Sequence, residues 1–436
     1  MAQQEIEFPS RKIRLLYSSL FIPLLKCFFG IASLFNSKAR RGFRGRKNLF
    51  SELGNRISKI PEGQRIWIHA SSLGEFEQAK PIIEILKKAG YRIVVTFFSP
   101  SGYEHSLNYL DADLITYIPL DSRKNAEKFV EIVRPRAVVV MRYDLWLNHL
   151  IAAKEQGAKV VVADATFSIK MFQRPKLLKE FYRQVYGLAD LVLTTNSDNK
   201  RLFDSFLGKK VIEVGGDTRF DRVYSRSVAN NVTQKIPLSI DRSKRIVMIL
   251  GSTWRQDTEV LRDGITRLVK EFPSLLVVIV PHEPTGDEVR RLVEQFPCAK
   301  VLSAVGETPE SEVAILIVDR VGILTQLYVL GHVAYVGGGF GAGVHSVLEP
   351  AVYGMPIVTG PRIERSDEAM QLMKNGALFI VKDSTSAHEA MLKLVADEAA
   401  RKTAGGIAMG FVKRNIGASA LVAERIMKIC EDRSSI

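Results

Sequence analysis

The first residue that could do chemistry is Glu75, which follows a predicted buried strand and opens a predicted helix. The strand covers residues 65–69, and His69-Ala70-Ser71-Ser72-Leu73-Gly74-Glu75 carries the chain into the helix. In an open parallel sheet, ligands bind at the carboxyl ends of the strands, so we expect this carboxylate to border a crevice. There it could act as a general base. The alternative is structural, because the helix dipole stabilises an acidic residue near a helix start.

A second candidate site is Gly251-Ser252-Thr253, which follows another predicted strand, residues 246–250, and leads into a helix. Hydroxyl groups and free backbone N–H groups at a helix start can hold a phosphate group. Ser252 or Thr253 could equally be an ordinary N-cap. The tripeptide alone leaves both interpretations open.

A third candidate is the glycine-rich loop Val336-Gly337-Gly338-Gly339-Phe340-Gly341-Ala342-Gly343-Val344-His345-Ser346-Val347-Leu348-Glu349-Pro350. Its five glycines would let the backbone approach a ligand. Glu349 would then accept hydrogen bonds from the vicinal hydroxyls of a ribose. The loop lacks the Gly-Lys-Ser or Gly-Lys-Thr ending of a phosphate-binding loop. The alternative is a merely flexible loop.

The elements that must position these residues form an α/β pattern. Short apolar runs alternate with polar-faced helical segments, which predicts parallel sheets covered on both faces. The predicted strands are 65–69, 92–98, 114–118, 137–141, 159–163, 191–194 and 211–214, followed by 246–250, 275–280, 313–318, 333–336 and 356–358. The repetition indicates two doubly wound, Rossmann-like domains facing a cleft.

The length of 436 residues exceeds what one core usually serves, which also favours two domains. Residues 228–244 are polar and contain Pro237, so they are interpreted as a linker. We therefore predict a membrane-associated segment at 1–48 and a first Rossmann-like domain at 49–227. A second Rossmann-like domain would cover 245–404, and a closing helix at 405–436 could pack back on the first domain.

The charge is concentrated at the N-terminus. Residues 1–60 carry twelve Lys or Arg and three Asp or Glu, which is a surplus of nine in a total of +14. Such a basic end fits an anionic surface, whereas the body gives little reason to expect nucleic acid as a partner. The apolar stretch 13–35 favours an interfacial anchor with a cationic flank. A single spanning helix is the main alternative, although Lys26 would be costly in it. A signal peptide would need a cleavage site, where a basic run stands instead.

No metal or disulfide is expected. Cys27, Cys298 and Cys430 are widely spaced and form no zinc-ligand pattern. The pair Asp111 and Asp113 precedes its strand, so it falls at the end away from the crevice.

Together these motifs resemble those of the Kdo transferases of lipopolysaccharide assembly, from about residue 66 to the C-terminal helix. Segment 70–76 looks like the family's stretch with the catalytic base, which implies that Glu75 is the base. Segment 141–146, Met-Arg-Tyr-Asp-Leu-Trp, looks like the family's Glu-Leu-Trp motif, with Asp144 in place of glutamate. Segment 215–221 is similar to one whose cation assists the transition state, and Arg219 stands where lysine is common.

The resemblance also implies a set of nucleotide contacts in the second half, which complements Ser252 and Thr253. These contacts are Pro281, His282, Val321, Gly322, Ile323, Ser346, Val347, Leu348 and Glu349. The chain departs from the family at several points. It has Pro-His-Glu-Pro for Pro-Arg-His-Pro at 281–284, Gly-Val-His-Ser for Gly-Gly-His-Asn at 343–346, and Asp-Ala-Thr-Phe-Ser for an Asn-Ala-Arg-Leu-Ser-like segment at 164–168.

The resemblance implies a glycosyltransferase of the B fold that moves Kdo from CMP-Kdo to a lipid A precursor, lipid IVA, with inversion. No metal or other cofactor is implied, and the enzyme would be anchored at the cytoplasmic face of the bacterial inner membrane. Two alternatives use the same fold: a glycosyltransferase or an epimerase acting on a UDP-sugar. A catalytically silent nucleotide-binding or membrane-scaffold protein is a third. An NAD-dependent oxidoreductase is disfavoured because no Gly-x-Gly-x-x-Gly follows the first strand.

Overall fold

The computed structural model describes residues 8–208, 211–232, 238–305 and 312–431. The chain divides into two compact units. The first unit comprises Met1–Arg222 and Gly417–Ile436, and the second comprises Val223–Ile416.

The chain begins with helices that lie against the first sheet. They are α1 (Arg11–Leu16), a π-helical turn (Tyr17–Phe21), α2 (Ile22–Phe35), α3 (Ser37–Arg44) and α4 (Leu49–Ile57). The first three form one continuous helix that is long and apolar enough to cross a membrane. One side of this helix is packed against the first unit: Ile13, Tyr17 and Ile22 are buried. The hydroxyl of Tyr17 donates to Asp121 at 2.8 Å.

Seven parallel strands form the described sheet of the first unit, in the order β3-β2-β1-β4-β5-β6-β7. Its strands are β1 (Arg65–Ala70), β2 (Arg92–Phe97), β3 (Leu114–Tyr117), β4 (Pro135–Met141), β5 (Lys159–Ala165), β6 (Leu191–Thr194) and β7 (Ile212–Val214). The seven strands predicted for the first half are confirmed. The strand order reverses between β1 and β4, and the carboxyl ends of these two strands carry Glu75 and Asp144 into the following loops.

The helices of the first unit cover both faces of that sheet. They are α5 (Leu73–Lys88), α6 (Pro100–Ser106), α7 (Arg123–Val133), α8 (Leu147–Glu155), α9 (Lys176–Tyr186), α10 (Ser197–Leu207) and α11 (Thr218–Val232), with a 3-10 turn at Ile169–Gln173. Alternate residues of β1 face opposite sides, as the twofold strand period requires. Ile66 and Ile68 join a core with Phe76 of α5, whereas Trp67 joins a second core with Phe129 of α7.

Helix α11 continues into the segment predicted as a linker. It runs without interruption to Val232, because residues 218–232 contain neither Pro nor Gly. The unit boundary lies inside this helix, between Arg222 and Val223. Residues 233–237 of the predicted linker, including Pro237, lie outside the described residues.

The second unit repeats the architecture, with seven described parallel strands in the order β10-β11-β9-β8-β12-β13-β14. These strands are β8 (Ile246–Thr253), β9 (Leu275–Pro281), β10 (Ala299–Val301), β11 (Ile315–Ile317), β12 (Val333–Val336), β13 (Ile357–Thr359) and β14 (Leu378–Ile380). The five predicted strands are confirmed. The edge strands β10 and β14 were not predicted: β10 has Lys300 at its centre, and the apolar run around β14 was missed.

The helices of the second unit are α12 (Arg255–Glu271), α13 (Gly286–Gln295), α14 (Leu302–Val305), α15 (Leu324–Leu327), α16 (Leu348–Ala351), α17 (Asp367–Lys374), α18 (Ser384–Ala396) and α19 (Glu398–Arg414), with a 3-10 turn at Tyr328–Leu330. The final helix, α20 (Ala418–Glu431), belongs to the first unit. Its residues Val422 and Ile426 enter the same core as Phe76. The carboxylate of Asp221 accepts from the backbone N–H groups of Gly417 and Ser419 at 2.6 and 2.8 Å, which satisfies donors at the start of α20.

Candidate active site in the first unit and nucleotide-binding loops in the second

Glu75 lies in the first turn of α5, at the carboxyl end of β1. Ser72 caps the helix by accepting from the backbone N–H of Glu75 at 3.4 Å. The Glu75 carboxylate turns back and accepts from the backbone N–H of Ser71 at 2.5 Å. Its side chain is 7% exposed, which is low for a carboxylate. The helix-start role is therefore present, and it holds the carboxylate in one place.

A second carboxylate reaches the same neighbourhood from β4. Asp144 Oδ2 lies 3.1 Å from Nε2 of His69, the penultimate residue of β1. The same oxygen accepts from the indole N–H of Trp146 at 3.1 Å. The Nδ1 of His69 lies 2.9 Å from the hydroxyl of Thr96, so His69 bridges β2 and the β4 loop. His69 thus holds the Asp144 side chain in place.

The two carboxylates differ in their ionisation. Burial raises the pKa of Glu75, and the negative charge of Asp144 raises it further, although the hydrogen bond from Ser71 opposes the shift. Burial would also raise the pKa of Asp144, but the hydrogen bond and charge of His69, with further hydrogen bonds from Ser71 and Trp146, hold that pKa below its usual value. Glu75 is thus the carboxylate better suited to take a proton near neutral pH.

Arg219 is the second residue of α11 and forms a fork with a neighbouring acid. Its Nε donates to Asp217 Oδ1 and Oδ2 at 3.0 and 2.9 Å, and its Nη2 donates to Oδ2 at 2.6 Å. Its side chain is 33% exposed. The ion pair fixes the guanidinium at the carboxyl edge of the sheet, because Asp217 follows β7.

Two further residues at this edge, Arg142 and Asp164, have unusual backbone conformations. Arg142 directly follows β4, and Asp164 is the penultimate residue of β5. Both lie in the left-handed region, with φ of 65° and 51°. The Nε of Arg142 donates to Gln78 of α5 at 3.1 Å. These conformations could not be predicted from the sequence, because neither residue is glycine. Non-glycine residues held in this region are enriched at functional sites.

An apolar groove of about 710 Å³ adjoins this edge. Its lining comes from four places: the N-terminal helix, Phe98 after β2, the Asp144 loop, and α9 with the residue before it. The lining residues are Ile13, Leu16, Tyr17, Leu20, Phe21, Leu25, Phe29, Phe98, Tyr143, Asp144, Leu145, Trp146, Pro175, Leu177, Leu178, Phe181 and Tyr182. Asp144 is the only acidic residue among them. Trp146 stacks on Phe98 with ring centroids 5.1 Å apart, which closes part of its wall.

In the second unit, the loop after β8 differs from its prediction. Strand β8 extends through Ser252 and Thr253, and Trp254 is the N-cap of α12. The interpretation of Ser252 or Thr253 as an N-cap is therefore wrong. Ser252 has a left-handed φ of 52°. The Thr253 side chain is 2% exposed, and its hydroxyl has no hydrogen-bond partner among the described residues.

Asp257 organises these loops, although the sequence did not single it out for this. Its Oδ2 accepts from the backbone N–H groups of Trp254 and Gly338 at 2.8 and 2.9 Å, and its Oδ1 accepts from the hydroxyl of Tyr335 at 2.8 Å. A buried carboxylate with three donors joins β8, β12 and the glycine-rich loop. It is the third residue of α12 and accepts from the backbone N–H of the N-cap residue Trp254, and an acid at this helix position is the signal that could have identified it.

Part of the glycine-rich loop serves the protein's own packing. A Cβ on Gly337 would collide with the backbone carbonyl of Ser252, and a Cβ on Gly339 would lie 2.6 Å from the backbone nitrogen of Gly360. These two glycines let neighbouring loops approach each other, and this explains them without a ligand. Gly343, with φ of 133°, has no atom closer than 3.8 Å to such a Cβ, so its requirement is conformational.

Three rings from successive loops form a cluster at the same edge. The indole N–H of Trp254 donates to Nε2 of His345 at 2.8 Å, and the two rings are inclined by 19°. The ring of His282 stacks on both, with centroid distances of 4.5 Å to each. Burial and the nearby His282 lower the pKa of His345, so its ring is neutral and can accept from the indole. His282 was among the predicted nucleotide contacts, and His345 lies in the glycine-rich loop that was a candidate site. Trp254 was not predicted to belong to either.

The remaining predicted nucleotide contacts lie in two loops of the second unit. Val321 and Gly322 are exposed and Ile323 is half-buried, in the loop that precedes α15. Ser346 is exposed and Glu349 is half-buried, whereas Val347 and Leu348 are buried, so only their backbone could contact a ligand. Pro281 is also buried, at the end of β9. Within the described ranges, no group of three or more His, Cys, Asp or Glu could hold a metal ion.

Solved structures with a similar fold include UDP-GlcNAc 2-epimerase from Neisseria meningitidis. It has a TM-score of 0.59 and 15% identity, covering 84% of this chain and all of that one. A glycosyltransferase from Rickettsia africae has a TM-score of 0.56 and 12% identity, covering 85% of this chain and all of that one. The chain therefore has the glycosyltransferase B type of fold.

Sequence relatives are more specific. Residues 40–222 match the family model described as 3-Deoxy-D-manno-octulosonic-acid transferase (kdotransferase). The chain is similar to the 3-deoxy-D-manno-octulosonic acid transferase of Haemophilus influenzae, with 24% identity over 93% of this chain and 96% of that protein. It is also similar to the protein of that name from Aquifex aeolicus, with 26% identity over 73% of this chain and 83% of that protein. For the protein of that name from Chlamydia pneumoniae, the identity is 29% over 76% of this chain and 78% of that protein. The chain is thus similar to the Kdo transferases over most of its length, and the stretch that matches their family model contains Glu75, Asp144 and Arg219.

Proposed function

We propose that the protein transfers Kdo from CMP-Kdo to a hydroxyl of a lipid A precursor, lipid IVA, with inversion at the anomeric carbon. The family supports Kdo transfer in lipopolysaccharide synthesis, and the donor, acceptor and stereochemistry are our assignment. The observation that carries the lipid acceptor is the apolar groove of the first unit, whose lining includes Asp144.

Glu75 is assigned as the general base. An acceptor hydroxyl that attacks the anomeric carbon must lose its proton, and a positioned carboxylate with a raised pKa can take it. Glu75 meets both conditions, since Ser71 fixes its carboxylate and burial raises its pKa. Asp144 would support this role by keeping the pKa of Glu75 raised.

Arg219 is assigned to the leaving group. Cleavage of CMP-Kdo leaves a phosphate monoester, whose growing negative charge a guanidinium can stabilise without a metal. The fork to Asp217 holds the guanidinium in place before the reaction, which reduces the ordering cost during it. The rings of Trp254, His282 and His345, with the backbone at Gly322 and Ser346, are assigned to the nucleotide.

The acceptor's acyl chains are assigned to the groove. The lining is almost entirely aliphatic or aromatic, so it would bind hydrocarbon in preference to a sugar. One wall is the N-terminal helix, whose outer residues Leu24, Phe28 and Ile31 are 61–63% exposed. An acyl chain could therefore pass from a membrane into the groove without crossing water.

The same helix supports an interfacial anchor. A helix that crosses a bilayer would leave the protein body, yet Tyr17 and Ser18 hydrogen-bond to Asp121 and Asn148 of the first unit. The basic residues that follow it, including Arg40, Arg41 and Arg44, suit anionic head groups. We therefore assign the protein to the cytoplasmic face of the bacterial inner membrane.

The acceptor assignment is tested with two acceptors, the acylated precursor and its deacylated sugar phosphate. Leu178→Asp places a charge in the groove, and it should raise the KM for the acylated acceptor about tenfold or more. The KM values for the deacylated acceptor and for CMP-Kdo should stay within about twofold of the parent. Leu110→Asp is the matched control, because Leu110 is 91% exposed and does not line the groove. Equal effects on both acceptors would contradict the assignment.

The donor assignment is tested by thermal unfolding with CMP or UDP. A ligand at one hundred times its Kd stabilises the folded state by about 2.7 kcal/mol. CMP should protect the protein at lower concentration than UDP. Stronger protection by UDP would favour a UDP-sugar transferase or epimerase.

A further inference from the structure

Asp164 is a fully buried carboxyl group at the carboxyl end of β5, one strand away from β4 and the Asp144 loop. Its φ of 51° lies in the left-handed region, which costs a non-glycine residue about 1–3 kcal/mol. The pairing of β5 with β6 shifts register between Val162 and Ala165, so the strand is interrupted at this residue. A buried acid in strained backbone requires compensating contacts.

Those contacts go to a single residue, Thr218. Asp164 Oδ1 accepts from the backbone N–H of Thr218 at 3.2 Å, and Oδ2 accepts from the Thr218 hydroxyl. Thr218 is the first residue of α11 and is itself fully buried. Asp164 therefore acts as an N-cap that is supplied by a neighbouring strand.

The next residue along α11 is Arg219, which forks onto Asp217. Asp217 and Arg219 are the two chain neighbours of Thr218. The position of the Arg219–Asp217 ion pair therefore depends on the hydrogen bonds that hold Thr218. Arg142 connects the end of β5 to α5, the helix that carries Glu75. Its backbone N–H donates to the carbonyl of Ala163 at 2.8 Å, and its side chain donates to Gln78 of α5.

We propose that Asp164 is a positioning residue for the transfer reaction: by holding Thr218 it fixes the first turn of α11 and so the position of the Arg219 guanidinium. This inference rests on the proposed function of Arg219.

The test compares three variants by steady-state kinetics with CMP-Kdo and the lipid acceptor. Asp164→Ala removes both contacts and should lower kcat about tenfold or more, with a change in the KM for CMP-Kdo of less than about threefold. Asp164→Asn should restore most of kcat, because its amide oxygen can accept from the N–H and its amide nitrogen can donate to the hydroxyl. Thr218→Val should give an intermediate loss.

Asp190→Ala is the matched control. Asp190 lies beyond the other end of β5 and accepts from the backbone N–H of Val160 at 2.7 Å and from Lys154 at 2.8 Å. Its removal should lower the melting temperature, as removal of Asp164 does, but should leave kcat within about twofold. Equal losses of kcat in the two variants would mean that Asp164 is only structural, and would overturn the proposal.

A second measurement is independent of activity. Hydrogen exchange of the backbone amides at 218–222 should rise in Asp164→Ala and not in Asp190→Ala. If the wild-type protein transfers Kdo and Asp164→Ala keeps its kcat, the inference alone fails. If the wild-type protein transfers no Kdo, the proposed function fails and the catalytic part of this inference with it.

Discussion

The Nε2 atom of His69 lies 3.1 Å from Oδ2 of Asp144, and this contact joins the carboxyl ends of β1 and β4 at the point where the strand order reverses. It keeps the pKa of Asp144 low, so Asp144 carries a negative charge near Glu75. That charge adds to burial in raising the pKa of Glu75. The base and its neighbour are therefore electrostatically linked.

Asp144→Asn should shift the acid limb of the kcat/KM profile to lower pH. Removing the negative charge lowers the pKa of Glu75, so the base is ionised at a lower pH. The rate should be measured from pH 4 to 8 with saturating acceptor. A shift to higher pH would contradict the link between the two carboxylates.

Arg219→Ala should reduce kcat more than it raises the KM for CMP-Kdo, because the guanidinium is assigned to the charge that grows on the leaving phosphate. Arg219→Lys should keep a larger part of kcat. Arg201→Ala serves as a control, since Arg201 is 76% exposed and pairs with Asp198 on α10. A change in KM alone would show that Arg219 only binds the donor.

Leu24→Glu with Phe28→Glu should weaken binding to vesicles that contain phosphatidylglycerol. Burying each of these side chains is worth about 1.5–3 kcal/mol, so the double variant should lose at least about tenfold in partitioning, measured by cosedimentation. Leu107→Glu, on the exposed surface of the first unit, should bind as the parent does. An interfacial anchor should also be extracted by alkaline carbonate, whereas a spanning helix would stay in the membrane.

Asp164→Asn should stabilise the protein at alkaline pH. Burial, with the charge of Asp217, raises the pKa of Asp164 to about 7. An acid whose pKa is raised on folding binds its proton more tightly in the folded state. Its ionisation therefore costs stability, and the cost grows as pH rises from about 4 to about 7.

The cost is at most about 4 kcal/mol above that range. The melting temperature of Asp164→Asn should exceed that of the parent at pH 8, and the difference should shrink steadily towards pH 4. An advantage that is greatest at acidic pH would contradict the raised pKa.

Much of the fold could be predicted from the sequence, because strands buried on both faces appear as continuous apolar runs. Apolar runs such as 65–69 and 137–141 predicted the strands of the sheets. The residues that follow these runs predicted the candidate site. Strand Ala299–Val301 shows no such pattern, because Lys300 lies at its centre, and the apolar run 377–381 around Leu378–Ile380 was not recognised as a strand. The start of the predicted linker is helical, because polar residues without Pro or Gly do not end a helix.

The contacts within the candidate site could be predicted less well. The sequence identified Glu75 and Asp144, but the role of His69 depends on the register of β1 with β4. The left-handed backbone of Asp164 has no sequence signal, because the residue is not glycine. Its hydrogen bonds to Thr218 join residues that are 54 positions apart. Gly337 and Gly339 were interpreted as ligand-approaching, whereas the neighbouring backbone accounts for them. The assignments of the nucleotide contacts stay predictions.

The most direct test of the account is the transfer reaction itself in a matched pair of variants. Purified protein is incubated with CMP-Kdo and the lipid A precursor, and the product is weighed by mass spectrometry over time. Glu77→Gln is the control, because Glu77 lies on the same helix but pairs with Arg222 at 2.7 Å and with Lys80. The parent and Glu77→Gln should add Kdo at rates within about threefold of each other, and Glu75→Gln should be at least about a hundredfold slower. Turnover of Glu75→Gln within about threefold of the parent would contradict the assignment of Glu75 as the base.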